Sequence, residues 1–330
     1  MKVWKPHYFD KFSCIASRCP DSCCKEWSVT VDEDAALRYR QLPGDLGDRL
    51  RQVLTEEDGV TIMAIENGRC PMWRKDGLCR IQAELGHEGL CQVCREFPRL
   101  RHDYGDFVEL GLELSCPEAA RLILASDGHP GIESDLPGDE SGEYDEEAMS
   151  LLKRTRQQVL AILEDTGRTV PEALTLALLY GYHAQSELDD GEDFPFDPES
   201  ALESARELAK PADFRELLDF FAGLEILTPR WQQMLRSARP GDWSEDYRKI
   251  ARYFVERYWL QAVSDYDLYC RVKFIIVSCL VIRFVGGDLL AAAQQYSKEI
   301  ENDVDNVEAI LDAAYAHPAF TDEKILGLLR

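Results

Sequence analysis

A chain of 330 residues, 45% of them hydrophobic, can bury a sizeable core, and its length suits one large domain or two of ordinary size. Its formal charge of −24 would repel a phosphate backbone and an anionic membrane surface alike, which argues against nucleic acid and membranes as partners.

The N-terminal "MKVWKPHYFDKF" has lysines but lacks the apolar stretch of about 7–15 residues that a secretion signal needs, so a cytoplasmic protein is expected. "FSCIASRCPDSCCKEW" (12–27) then crowds Cys14, Cys19, Cys23 and Cys24 together. A helix suits "DEDAALRYRQL" (32–42), with Asp32 as its N-cap, and another suits "SCPEAARLILA" (115–125). Between them "VTIMAIENGRC" and "DFVELGLEL" read as short strands. No run alternates long enough to argue for a large sheet.

Acidity is concentrated late: 42 of the 61 acidic residues follow residue 110, against 21 of the 37 basic ones. "IESDLPGDESGEYDEE" (132–147) and "ELDDGEDFPFDPE" (187–199) carry much of it and, with their Gly and Pro, read as loops or linkers. Their ordinary reading is a solvated loop; the sharper one is an electrostatic lure for a basic protein. Beyond them the period is helical over 148–165, 171–185, 213–227, 244–263, 266–285, 289–301 and 306–316. Pro171 stands in a favoured first-turn position. The most apolar stretch, "FIIVSCLVI", lies between Lys273 and Arg283 and is far shorter than the roughly 20 apolar residues of a spanning helix, so it reads as buried. The expected architecture is mainly α: a cysteine-rich domain at 1–127, an acidic linker at 128–147 and an all-α domain at 148–330.

Nine of the eleven cysteines fall before residue 117: Cys14, Cys19, Cys23, Cys24, Cys70, Cys79, Cys91, Cys94 and Cys116. In a reducing compartment such density points to metal or redox chemistry before structural disulfides. Cys91 and Cys94 form the one C-x-x-C, a spacing that can turn two sulfurs toward one metal. Adjacent side chains diverge in an extended segment, so Cys23 and Cys24 are not expected to share one tetrahedral zinc comfortably. Nine thiols exceed the needs of a single zinc or [4Fe-4S] cluster, and spacing alone does not choose among them. His7, His87 and His102 read as surface or core histidines rather than ligands. Cys270 and Cys279, nine positions apart, point to opposite faces of one helix and read as small core residues.

"FSCIASRCPDSCCKEWSVTVD", "RCPMWRKDGLCRIQAELGHEGLCQVCREFPR" and "LSCPEAARLIL" together resemble the flagellin lysine-N-methylase family, itself related to a wider group of cysteine-rich zinc- or iron-chelating proteins. "ARYFVERYWLQAVSDYDLYCRVKFIIVSCLVIR" and "AQQYSKEIENDVDNVEAI" are similar to the family's C-terminal part, which extends the likeness over most of the chain. It is loosest over 128–240. The resemblance implies methyl transfer from S-adenosylmethionine to lysines of a protein such as flagellin, with an iron–sulfur cluster held by the cysteines. By position, Cys14, Cys19, Cys23, Cys24, Cys70, Cys79 and Cys94 match the pattern shared with the chelating group. Cys91 and Cys116 match positions more particular to the methylase-like family.

The residues alone do not reach methyl transfer. There is no G-x-G-x-x-G turn, and "FVGGDLL" is a poor substitute. A radical C-x3-C-x2-C motif is broken, since Cys19 and Cys23 supply the first spacing but Glu26 takes the third position. Attack of a neutral lysine amine on a sulfonium methyl is the simplest route, and it needs a base. Tyr180, Tyr182 and His183 are candidates, although their ordinary reading is helix core; neither the base nor the S-adenosylmethionine site is assigned. Two alternatives stand beside the methylase: a non-catalytic zinc or iron–sulfur chelator, carrier or redox sensor, and an enzyme whose zinc-bound thiolate accepts the alkyl group.

Overall fold

The computed structural model describes residues 1–57, 59–126, 131–135, 144–191 and 195–330. Its elements in chain order are β1 (Lys2–Lys5), β2 (Val29–Thr30), α1 (Glu33–Gln41), α2 (Gly44–Val53), β3 (Leu54–Glu57), β4 (Val60–Met63), α3 (Arg80–Leu85), α4 (Gln92–Glu96), β5 (Arg99–Asp103), β6 (Phe107–Leu112), α5 (Pro117–Leu124) and β7 (Ile132–Asp135). The helical part follows: α6 (Glu146–Glu164), α7 (Val170–Asp190), α8 (Pro198–Leu208), α9 (Phe214–Ala222), α10 (Pro229–Arg236), α11 (Asp246–Tyr258), α12 (Leu268–Val285), α13 (Leu289–Ile300), α14 (Val304–Ala316) and α15 (Asp322–Leu328). The fold is mainly helical with some sheet.

The helices begin where their side chains can serve the first free N–H groups. Asp32 accepts from Ala35 N at 2.9 Å at the start of α1. Thr169 and Glu172 form a reciprocal capping box around Pro171 on α7. That helix ends at Gly191, whose φ of 69° is the left-handed conformation glycine takes without strain. α12 is buried along nearly its whole length and packs against α7, α11, α13 and α14, as the apolar run at 274–282 requires. Its most deeply buried cation, Lys273, is satisfied by Ala314 O at 2.9 Å, Phe320 O at 3.0 Å and Asp322 at 2.9 Å. Cys270 and Cys279 are buried on this helix. Among the described residues no helix is long and apolar enough to cross a membrane.

Two small sheets accompany the helices. β5-β6-β1-β7 form a mixed sheet, with β1 parallel to β6 in the register Val3–Val108 and antiparallel to β7 in the register Val3–Ser134. β2-β4-β3 form the second. The expected strands at 60–70 and 106–114 are thus β4 and β6. Ile132–Asp135, in a stretch expected to be loop, is a sheet edge; residues 136–143 of that acidic stretch and 192–194 of the other lie outside the described residues.

Apolar burial divides into two cores. The smaller gathers side chains from Val29 to Cys91, including Tyr39, Leu50, Met63 and Met72. The larger joins Tyr8, Phe12 and the β6 residues Phe107 and Leu112 to the helices out to Leu329. The four-stranded sheet therefore packs on the helical core.

Candidate functional site

The thiols meet where the small core faces the large one. A cleft of about 760 Å³ is lined by Cys14, Cys19, Cys23, Cys24, Cys79, Cys94 and Cys116, that is, by seven of the nine early cysteines. They arrive from separate segments: the 12–27 loop, the start of α3, α4 and the start of α5. Cys70 and Cys91 are buried in the small core. All eleven cysteines are free thiols.

Local hydrogen bonds fix these segments. Asp32 caps α1 with one carboxylate oxygen and accepts from Gln92 N at 2.7 Å with the other, which ties the C-x-x-C segment to α1. Cys70 N donates to Cys24 O at 2.8 Å, and Glu26 N donates to Gly68 O at 3.1 Å, so the first cysteine loop is stitched to the second. Cys23 and Cys24 lie in a turn rather than in extended chain. This is why two adjacent thiols, expected to diverge, both line the cleft and remain bonded to each other.

Sulfur contacts run inward from that turn. The Cys23 thiol donates to Cys24 and the Cys24 thiol to Cys70, whose own Sγ stands 3.6 Å from Met63 Sδ. Donation to Cys24 and burial push the Cys23 thiol up, and Cys24 is pushed up to about 12 despite the bond from Cys23, because it donates to Cys70 and is buried. Cys116 rises to about 12 by burial, and Cys19 and Cys79 rise for the same cause. Cys70 and Cys91, which accept from Cys24 and Cys94, are lowered. A thiophilic metal that binds thiols raised in this way must displace their protons.

The donor chemistry suits zinc or an iron–sulfur cluster: soft, unpaired sulfurs in number, on one cleft. Among the described residues no three His, Cys, Asp or Glu side chains are gathered in a metal-holding arrangement. His87 lines the cleft, whereas His102 lines a separate small cavity against β6 and α11. Tyr180, Tyr182 and His183 are remote from the cleft lining. Tyr180 is buried against Phe196 at 5.1 Å between ring centres, as the helix-core reading expects, while Tyr182, whose hydroxyl bonds Asp322 at 2.7 Å, and His183 are half-buried.

Sequence reasoning missed the cleft's partner from the other end of the chain. Lys298 of α13, only 2% exposed, lines the cleft, with Nζ 3.1 Å from Asp21, 2.6 Å from Glu26 and 5.3 Å above the Trp27 ring. Gln294, one turn earlier, donates to Asp21 at 3.2 Å and to Ser115 O at 2.8 Å. Burial works against the Asp21 carboxylate, but Lys298 above all holds it below the usual range. Nothing in the helical period of 289–301 marks a lysine and a glutamine as facing a cysteine loop. The remaining carboxylate on the cleft wall is Glu96, held by Gln92 Nε2 at 3.0 Å.

No family model matches the chain, and no solved structure matches it. Among curated proteins it is similar to the flagellar biosynthetic protein FliU of Salmonella muenchen, at 33% identity over 135 residues covering 37% of this chain and 76% of that protein. It is equally similar, at 33% over 135 residues, to lysine-N-methylases of Salmonella typhimurium strain LT2 and Salmonella choleraesuis strain SC-B67. There the match spans 37% of this chain but only 32% of each methylase. The alignments thus reach over much less of the chain than the resemblance of its C-terminal segments suggested. At that identity, and with three quarters of FliU covered, the chain belongs to the flagellin lysine-N-methylase family.

Proposed function

We propose that this protein is a cytoplasmic, S-adenosylmethionine-dependent protein lysine N-methyltransferase that acts on flagellin or a similar surface protein and holds a [4Fe-4S] cluster, or alternatively zinc, through its cysteines. The observation that carries the reading is the convergence of seven early cysteines on one cleft of about 760 Å³ in a chain of this family. A cleft of that size matches those that take small ligands of cofactor dimensions.

Cys23, Cys24, Cys79 and Cys94 on the cleft, backed by Cys70 and Cys91, are the ligands we assign first; Cys14, Cys19 and Cys116 complete the thiol wall. A bound cluster or zinc would supply Lewis acidity and a fixed positive charge at the thiolates. The chain's own residues have a different task. Glu96 meets the incoming ammonium of a substrate lysine, and the cleft walls Trp27, Phe97 and Pro98 strip water from it, which lowers the cost of losing its proton. The neutral amine then attacks the sulfonium methyl, the C–S bond breaks as the C–N bond forms, and the thioether leaves neutral. The excess proton passes to solvent.

Anaerobic purification, a visible spectrum and metal analysis test the first half of the reading. Broad absorbance near 400 nm with roughly four irons per chain supports the cluster; colourless protein with zinc supports the alternative ligand. Equilibrium binding of S-adenosylmethionine and mass spectrometry of flagellin lysines test the second half. A metal-loaded chain that binds no S-adenosylmethionine would instead be a non-catalytic chelator, carrier or redox sensor, a reading favoured by the preponderance of thiols over carboxylates on the cleft.

A further inference from the structure

The cleft lining comes from residues 12–117 with one exception, and that exception is a buried cation. Lys298 reaches from α13 to bridge Asp21 and Glu26, which bracket Cys23 and Cys24. Glu26 carries a φ of 76°, a left-handed conformation that costs a non-glycine residue free energy unless its surroundings hold it there. The holders are the Glu26 N bond to Gly68 O and the ion pair to Lys298. Gln294 adds a second strut from the same helix to Asp21 and fixes the Ser115 carbonyl beside Cys116.

A buried ammonium and the carboxylates it bridges depend on one another, since removing either side leaves an uncompensated charge. Its Nζ also stands over Trp27, whose ring lines the cleft, so an ammonium is fixed in the buried wall of a site built to carry thiolates. Four thiolates around a metal carry excess negative charge, and a nearby fixed cation stabilises that state.

We propose that Lys298 is a positioning residue: it latches the 19–27 loop to the helical core in the form that presents Cys23 and Cys24, and it counters the charge of the metal group those thiols hold. The proposal rests on the metal-binding reading above, and the two fail separately in the following experiment.

Full-length wild type, Lys298→Met and Lys298→Arg are compared by two measurements. The first is zinc(II) affinity under chelator competition, together with iron and sulfide uptake in anaerobic reconstitution. The second is the rate at which iodoacetamide labels individual cysteines in the metal-free protein. Lys298→Met weakens zinc(II) binding by about 10- to 100-fold. It also speeds labelling of Cys24 and of Cys70 beneath it while leaving Cys270 and Cys279 as slow as in wild type; Lys298→Arg recovers most of both. Where a reconstituted cluster forms, Lys298→Met moves its reduction potential to more negative values and Lys298→Arg restores it, a response that a purely structural residue would not give. Unchanged labelling and zinc(II) affinity in Lys298→Met would overturn the proposal, and so would accelerated labelling of Cys270 and Cys279, which would make the lysine a general element of the fold. Wild type that takes up neither zinc(II) nor iron would sink the metal-binding reading, and with it the charge-countering role, while labelling would still decide the latch. If Lys298→Met does not fold, Asp21→Asn and Gln294→Leu each cut one strut and are held to the same outcomes.

Discussion

Arg156 of α6 grips Glu109 of β6 with both arms of its guanidinium, at 2.9 and 2.6 Å, joining the four-stranded sheet to the helical part. Both side chains are nearly inaccessible, 13% and 7% exposed. Removing one partner leaves the other charge buried and unpaired. Arg156→Met is therefore expected to cost about 3–5 kcal/mol in urea unfolding, and Arg156→Met/Glu109→Leu to cost less than the single change. A single-mutant cost below about 1 kcal/mol would show that the pair is solvated in solution.

The cysteines divide by location into two classes of variant. On the metal-binding reading, Cys24→Ser, on the cleft wall, and Cys70→Ser, behind it in the small core, should abolish metal uptake with the helical part still folded. Cys279→Ala, in the middle of α12, should leave metal content unchanged and lower stability by about 1 kcal/mol, the cost of a small cavity. Metal analysis beside circular dichroism separates the classes, and a Cys279 variant that loses metal would contradict this division.

Gly181 sits on α7 where the helix crosses α12. A Cβ there would lie 2.4 Å from a Val272 methyl. Gly181→Ala improves helix propensity yet should destabilise by about 1–3 kcal/mol through overpacking. Val272→Ala in the same chain should recover part of the loss. Thermal melts of the two variants beside the wild type check this, and a stabilised Gly181→Ala would mean that the two helices part easily.

His102 supplies a pH signature. Burial, and then the charge of Arg257, hold its imidazole below the ordinary 6.5, with Glu109 pulling the other way. The fold therefore binds this proton less readily than the unfolded chain, which takes it up as pH falls through about 6.5. Its contribution to stability is thus present above that pH and lost below it. His102→Gln should flatten the fall in unfolding free energy between pH 7 and 5; an unaltered slope would place the acid sensitivity elsewhere.

Much of this molecule could be read from the amino-acid order. The helices expected at 148–165, 171–185, 266–285 and 289–301 appear as α6, α7, α12 and α13, because a 3.6-residue apolar period and a capping side chain are local properties. Asp32 caps α1 as its position suggested, but its second bond, to Gln92, joins residues sixty apart and leaves no local trace. β1 and β7 went unread for a related reason: "KVWK" and "IESD" are too short to show a period, and they become strands only by pairing with each other and with β6. The cysteines announced a shared site through density and spacing. Lys298 and Gln294, which complete that site, look like ordinary polar residues of an amphipathic helix, and only tertiary packing turns them inward.

The origin of the cleft's walls also bears on the order of events during synthesis. Every cysteine of the site has been synthesised by residue 116, whereas Lys298 follows after more than half the chain again. At roughly 5–20 residues per second that interval is on the order of ten seconds or more. During it, nascent thiols stand open to oxidants and to competing metals. On the metal-binding reading proposed above, a chain organised in this way gains from delivery of a metal group only after α13 has docked.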